Sequence, residues 1–159
     1  MPSILPLCEE LPVRSFAPGA VLLPEGQRTG LIYILIEGTV KVEKASFEIN
    51  TVSDPGAIFG EISTLLNNPH MATVRAVTAC RAHVVTDSPA FLKSRPAMAY
   101  ELARLLAQRL DGVTAYLVDL KRQYEDQTNH LNMVDDVLEA LVHQQRRSFT
   151  PGSDRDSEV

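Results

Sequence analysis

The apolar residues of this 159-residue chain follow two rhythms. As far as Thr86 they come in short runs cut by Gly and Pro; beyond Pro89 they recur at steps of three and four. The first rhythm predicts strands. Ala20-Val21-Leu22-Leu23 follows the turn Phe16-Ala17-Pro18-Gly19, and residues 24–30 form a second turn cluster. Residues 31–36 do not alternate, which predicts a strand buried on both faces. Glu37-Gly38 turns the chain into residues 39–43, which do alternate, and residues 47–52, 73–79 and 81–86 read as further strands. Short strands at this spacing predict an antiparallel barrel or roll. Ahead of them, residues 3–12 predict a short helix limited by Pro6 and Pro12.

The second rhythm predicts helices. Asp87 or Ser88 can cap, Pro89 suits a first helical turn, and Arg95-Pro96 divides a short helix from a long one. In the long helix Leu106, Leu110, Val113, Leu117, Leu120 and Tyr124 are spaced by alternating steps of four and three, the pattern of a coiled-coil seam, and Leu131, Val134, Leu138 and Leu141 continue it. The polar stretch Glu125-Asp126-Gln127-Thr128-Asn129-His130 is the place for a bend or a restart, with Thr128 or Asn129 as cap. Such a seam predicts a homodimer paired through the long helices; the plainer reading is a helix that only covers its own domain. Residues 148–159 read as a disordered tail.

Composition narrows the classes. The net charge of −5 does not favour nucleic acid or an anionic membrane surface. No stretch has the length and apolarity of a bilayer span or a signal peptide, so the expectation is a cytoplasmic protein without membrane contact. Cys8 and Cys80 are the only cysteines and read as reduced thiols. His70, His83, His130 and His143 lack metal-ligand spacing. No nucleophile–base pair, carboxylate pair or metal motif suggests an enzyme.

One stretch carries chemistry. Pro55-Gly56 opens it, Phe59-Gly60-Glu61-Ile62 leads into a short helical turn, and Asn67-Asn68-Pro69-His70-Met71-Ala72-Thr73-Val74 closes it. A glycine before a helical turn lets backbone N–H groups approach an anion. Glu61 does not suit an anion, but it suits a sugar hydroxyl, or a capping role at the helix start. This stretch resembles the phosphate-binding cassette of cyclic nucleotide-binding domains. The likeness extends over residues 10–120, through Phe16-x-Pro18-Gly19, Pro24-x-Gly26, Ile34-Leu35-Ile36-Glu37-Gly38-x-Val40 and Pro55-Gly56-x-x-Phe59-Gly60-Glu61.

The resemblance implies a mainly β fold with α elements: a double-stranded antiparallel β-roll, jelly-roll-like, with a short cassette helix, flanking helices and a long C-terminal helix. It divides the chain into a roll with its N-terminal helix (residues 1–89), dimerising C-terminal helices (90–147) and the tail (148–159). It implies a non-catalytic regulatory module whose ligand site comprises Phe59, Gly60, Glu61, Ile62, His70, Met71 and Ala72, with Glu61 taking a ribose hydroxyl. His70 stands where the family places the arginine that pairs with the cyclic phosphate, and Met71 replaces a small hydroxyl residue. An imidazole is half-protonated near pH 6.5, whereas arginine is always charged and grips phosphate with two parallel bonds. Losing a charged hydrogen bond costs about 1.5–3 kcal/mol, more when a buried charge is left unpaired, which weakens binding on the order of tenfold to a thousandfold.

Binding of cyclic AMP or cyclic GMP is therefore expected to be weak or lost, with no other cofactor. Gly112 and Val113, aligned with the purine-contacting hydroxyl residues of the catabolite-activator branch, carry no hydroxyl. The acidic remainder after the long helix predicts no direct DNA binding. Two alternatives stay open: a functional cyclic nucleotide sensor using Arg75 and backbone donors, or a scaffold that captures a protein partner, of unknown identity, through the long helix. A haem-sensing variant of the fold would use His70, His83 or Cys80.

Overall fold

The computed structural model describes residues 4–124 and 128–143. The proposed tail at 148–159 lies outside the described residues. The chain divides into two compact units, residues 1–101 and 102–159.

The first unit opens on a 3-10 turn, Leu5–Cys8, with a proline in its first turn. This single turn replaces the helix expected over residues 3–12, because Pro6 and Pro12 leave too few free N–H groups for an α-helical ladder. Eight strands follow: β1 (Val13–Phe16), β2 (Val21–Leu23), β3 (Ile32–Glu37), β4 (Val40–Lys44), β5 (Phe47–Val52), β6 (Ile58–Phe59), β7 (Thr73–Ala76) and β8 (Cys80–Val85). They form two antiparallel four-stranded sheets, ordered β1-β8-β3-β6 and β2-β7-β4-β5. With the helices described below, this is the expected β-roll. β1 and β6 were not legible as strands. Three of the four β1 side chains are exposed, and β6 is two residues long, so neither carries an alternating pattern.

The core lies between the sheets. Tyr33 and Leu35 of β3 and Ala82 and Val84 of β8 meet Leu22 and Leu23 of β2, Val40 of β4, and Val74 and Ala76 of β7. β3 is buried from Ile32 through Leu35, as its unbroken apolar run implies. Burial at about 25 cal/mol per Å² of apolar surface is what holds such a sandwich together. The turn between β3 and β4 requires Gly38: its φ is +100°, and a Cβ there would lie 2.5 Å from the Ala79 carbonyl oxygen.

The Asp87 carboxylate accepts from the Ala90 N–H and caps α2 (Ser88–Ser94). Arg95 is non-helical, as a residue before proline tends to be, and α3 (Pro96–Gln123) begins at Pro96. In the second unit α4 (Thr128–His143) is a separate helix, so the polar stretch does interrupt the long one. Lys121 of α3 and Asp135 of α4 form an ion pair. On one straight helix those residues would be about 21 Å apart at 1.5 Å per residue; α4 therefore turns back beside α3 and the seam does not run straight into it.

Candidate functional site

The site residues are set out by a short connection between sheets. β6 ends at Phe59, Gly60 follows with φ +92°, and α1 (Glu61–Leu66) starts at once. Gly60 is obligatory, since a Cβ would stand 2.3 Å from the Leu31 carbonyl oxygen. At the other end Asn67 takes the left-handed conformation that Asn tolerates after a helix. The Asn68 N–H reaches back 2.9 Å to the Ser63 carbonyl, and Pro69 then delivers His70 to the edge of β7.

His70 turns inward. It is 4% exposed, and both ring nitrogens are engaged: Nδ1 lies 2.8 Å from Ser63 Oγ and Nε2 lies 2.6 Å from Thr29 Oγ1. Its backbone is tied to the same loop, with the His70 N–H donating to the Gln27 carbonyl at 2.9 Å and the Gly26 N–H donating to the His70 carbonyl at 2.8 Å. Burial holds the imidazole below its ordinary pKa, because the charged form loses hydration there. At neutral pH position 70 thus presents a neutral, fully engaged ring.

The other expected site residues are grouped around α1. Glu61 is buried at 4% exposure. Gly60 occupies the N-cap position, and Glu61 is the acidic residue of the first helical turn. Phe59 is buried, Ala72 is half-buried, and Ile62 and Met71 are exposed. Among the described residues Thr64 Oγ1 is the buried side-chain polar atom without a hydrogen-bond partner, so α1 keeps one unused polar contact.

Arg75 lies on the outer face of its sheet, between the inward-facing Val74 and Ala76. Its Nε meets Glu43 Oε1 at 3.0 Å and its Nη1 donates to the Gly19 carbonyl at 2.9 Å. Cys80 Sγ donates to backbone carbonyls of Thr39 and Thr78, and His83 Nδ1 lies 3.2 Å from the Leu11 carbonyl. Among the described residues no group of three or more His, Cys, Asp or Glu side chains could hold a metal ion. Burial pushes the Cys8 thiol up to about 11, which leaves it protonated and unreactive at neutral pH.

Sequence reasoning missed Thr29 and Ser63. Thr29 lies 41 residues from His70, inside a turn cluster whose composition explains its presence without any partner. Ser63 carried one usable signal: a small polar residue buried within a six-residue helix requires an acceptor or donor inside the fold.

Of the expected seam on α3, Leu110 is 46% and Val113 51% exposed, and Tyr124 is exposed as well, while Leu106, Leu117 and Leu120 are half-buried. Among the described residues no helix is long and apolar enough to cross a membrane.

Residues 13–92, half of the chain, match the family described as "Cyclic nucleotide-binding domain". A CRP-like cAMP-activated global transcriptional regulator from Mycobacterium tuberculosis is 30% identical over 125 residues, covering 74% of this chain and 55% of that protein. The chain thus spans about half the length of this relative. The N-terminal domain of a transcriptional regulator from Streptomyces coelicolor is 27% identical, with a TM-score of 0.53 over 69% of this chain and 82% of that one. A cAMP-bound structure of PfPKA-R is 25% identical, with a TM-score of 0.55 over 69% of this chain and 37% of that one.

Proposed function

The chain belongs to the cyclic nucleotide-binding domain family, and from that premise we propose that it is a non-catalytic, dimeric regulatory module with weakened or lost affinity for cyclic AMP and cyclic GMP. One observation carries this reading: the side chain at position 70 spends both ring nitrogens on Thr29 and Ser63 and stays neutral. A cyclic phosphate brought to this cassette meets no fixed positive charge at the position where the family supplies one. The nearest substitute in the sequence, Arg75, is committed to Glu43 and to the Gly19 carbonyl on the outer face of its sheet. That pairing argues against the functional-sensor alternative.

Exposure of Leu110, Val113 and Tyr124 on one helix supports pairing of two chains through α3, since apolar residues spaced in this way are left uncovered by the described residues. The same face would serve a scaffold that captures another protein. Both ends of the module then work together: the roll sets the position of the cassette, and the helices carry that state to the partner chain. A cytoplasmic setting is part of the proposal, as is the lack of direct DNA binding by these residues. Melting the purified chain with and without millimolar cyclic AMP or cyclic GMP tests the reading. A nucleotide that binds with a dissociation constant a hundred times below its concentration stabilises by about 2.7 kcal/mol, whereas the expected shift here is close to zero.

A further inference from the structure

The seam residues of α3 and α4 recur at alternating steps of three and four, so each has a place in a seven-residue repeat lettered a to g. Leu110, Leu117, Tyr124 and Leu138 fall at a; Leu106, Val113, Leu120, Val134 and Leu141 fall at d. Lys121 and Asp135 each follow a d residue and so share position e. In parallel helices e lies against g, whereas reversing one helix sets e beside e. The Lys121–Asp135 ion pair is thus what two reversed helices produce when they meet through the seam itself. At equal rise along both helices it brings Leu117 and Leu120 within one turn of Leu138. Burial divides the seam accordingly. Leu117, Leu120, Val134, Leu138 and Leu141 are half-buried. α4 ends eight residues beyond Asp135, at His143, and eight residues back from Lys121 is Val113. Val113 at that end and Leu110 beyond it are exposed, as is Tyr124 just past the end of α3.

We propose that α4 competes with a second copy of this chain for the seam of α3, and so restrains self-association. The inference rests on the pairing through α3 proposed above. Closed against α3, α4 occupies the half of the seam around Leu117 and Leu120 and leaves a partner Leu106, Leu110 and Val113. Released, α4 frees that half and presents its own seam residues, Val134, Leu138 and Leu141, for the same use. The two arrangements exclude each other because they bury the same side chains. Neither is fixed by the ion pair. The Lys121 and Asp135 side chains are 44% and 46% exposed, so their attraction biases the balance by about fivefold at most. A second copy at sufficient concentration can therefore take the place of α4.

The test uses the full chain. Sedimentation equilibrium gives the dimer dissociation constant of the wild type, of Asp135→Lys, of the reversed pair Lys121→Glu with Asp135→Lys, and of Lys121→Cys with Asp135→Cys, oxidised and reduced. In a parallel pair of chains the g positions facing these e positions hold Tyr116 and His130, neither an acid, so the charge changes act on the closed form. Asp135→Lys sets two cations together and should tighten the dimer by about two- to fivefold. The reversed pair should return it to the wild-type value. The double cysteine variant, crosslinked within one chain, should pair at least about tenfold more weakly than after reduction, since the covalent bond removes the open form. A dimer equally tight in Asp135→Lys and the wild type, or in the oxidised and reduced double variant, would overturn the competition while leaving pairing through α3 intact. Monomers throughout at tens of micromolar, Asp135→Lys included, would overturn both. Asp135→Lys beside the reversed pair decides the matter even if the cysteines do not crosslink.

Discussion

Gly60 and the carbonyl of Leu31 are so close that a single methyl group at position 60 would stand 2.3 Å from the oxygen. The contact is backbone against backbone, so no side-chain rotation relieves it. It fixes where α1 begins relative to the start of β3, and it also places Ser63 beneath His70.

Gly60→Ala should therefore destabilise the roll. The left-handed backbone at this position alone costs a side-chain-bearing residue about 1–2 kcal/mol, and the clash with Leu31 adds to it. A loss of about 2 kcal/mol or more is expected in urea unfolding, enough to move a large fraction of a small domain's stability. A change below about 0.5 kcal/mol, the size of an ordinary surface substitution, would mean that the connection rearranges freely.

Arg75→Ala distinguishes an outer-face ion pair from a ligand contact. The Arg75–Glu43 side chains are 37% and 18% exposed, so a loss of roughly 0–1 kcal/mol is expected. Any thermal response to cyclic nucleotide should be the same in the variant and the wild type. A nucleotide response present in the wild type and absent in Arg75→Ala would restore the sensor reading.

Stability should also depend on pH through His70, and the sign follows from its environment. The unfolded chain takes up a proton near pH 6.5 while the folded chain, with a depressed pKa, does not. Stability is therefore fully present above pH 6.5 and is lost as the pH falls through the folded-state value. Urea midpoints for the wild type minus those for His70→Gln, measured from pH 8 to pH 4.5, should be flat above pH 7 and decline below. A difference that grows toward acid would contradict this.

Leu110→Glu and Val113→Glu should split the proposed dimer without unfolding either unit, because both positions are exposed within the single chain. Sedimentation velocity should give the mass of a monomer for the variants and of a dimer for the wild type, with unchanged circular dichroism. A wild type that sediments as a monomer at tens of micromolar would remove pairing through α3.

Much of this fold could be read along the chain. The unbroken run at Ile32–Leu35, the turn at Gly38 and the break at Arg95-Pro96 each announce themselves locally, because burial, φ and helix termination are short-range constraints. The fate of His70 could not be read in this way. Its partners come from a turn 41 residues earlier and from the inward face of a helix 7 residues earlier, and nothing in the spacing of Thr29 or Ser63 marks them. A histidine at the position that the family resemblance assigns to the phosphate was visible in the sequence; the direction of the imidazole depended on tertiary contacts. The return of α4 beside α3 was hidden for a similar reason. Heptad spacing continues across the polar stretch, and the Lys121–Asp135 pair reveals the reversal.

The central claim is that the cassette offers cyclic phosphate no fixed cation, and calorimetric titration of the wild-type chain with cyclic AMP and cyclic GMP at pH 7.5 tests it most directly. The expected result is a dissociation constant far weaker than micromolar, or no heat of binding. Submicromolar affinity for either nucleotide would contradict it.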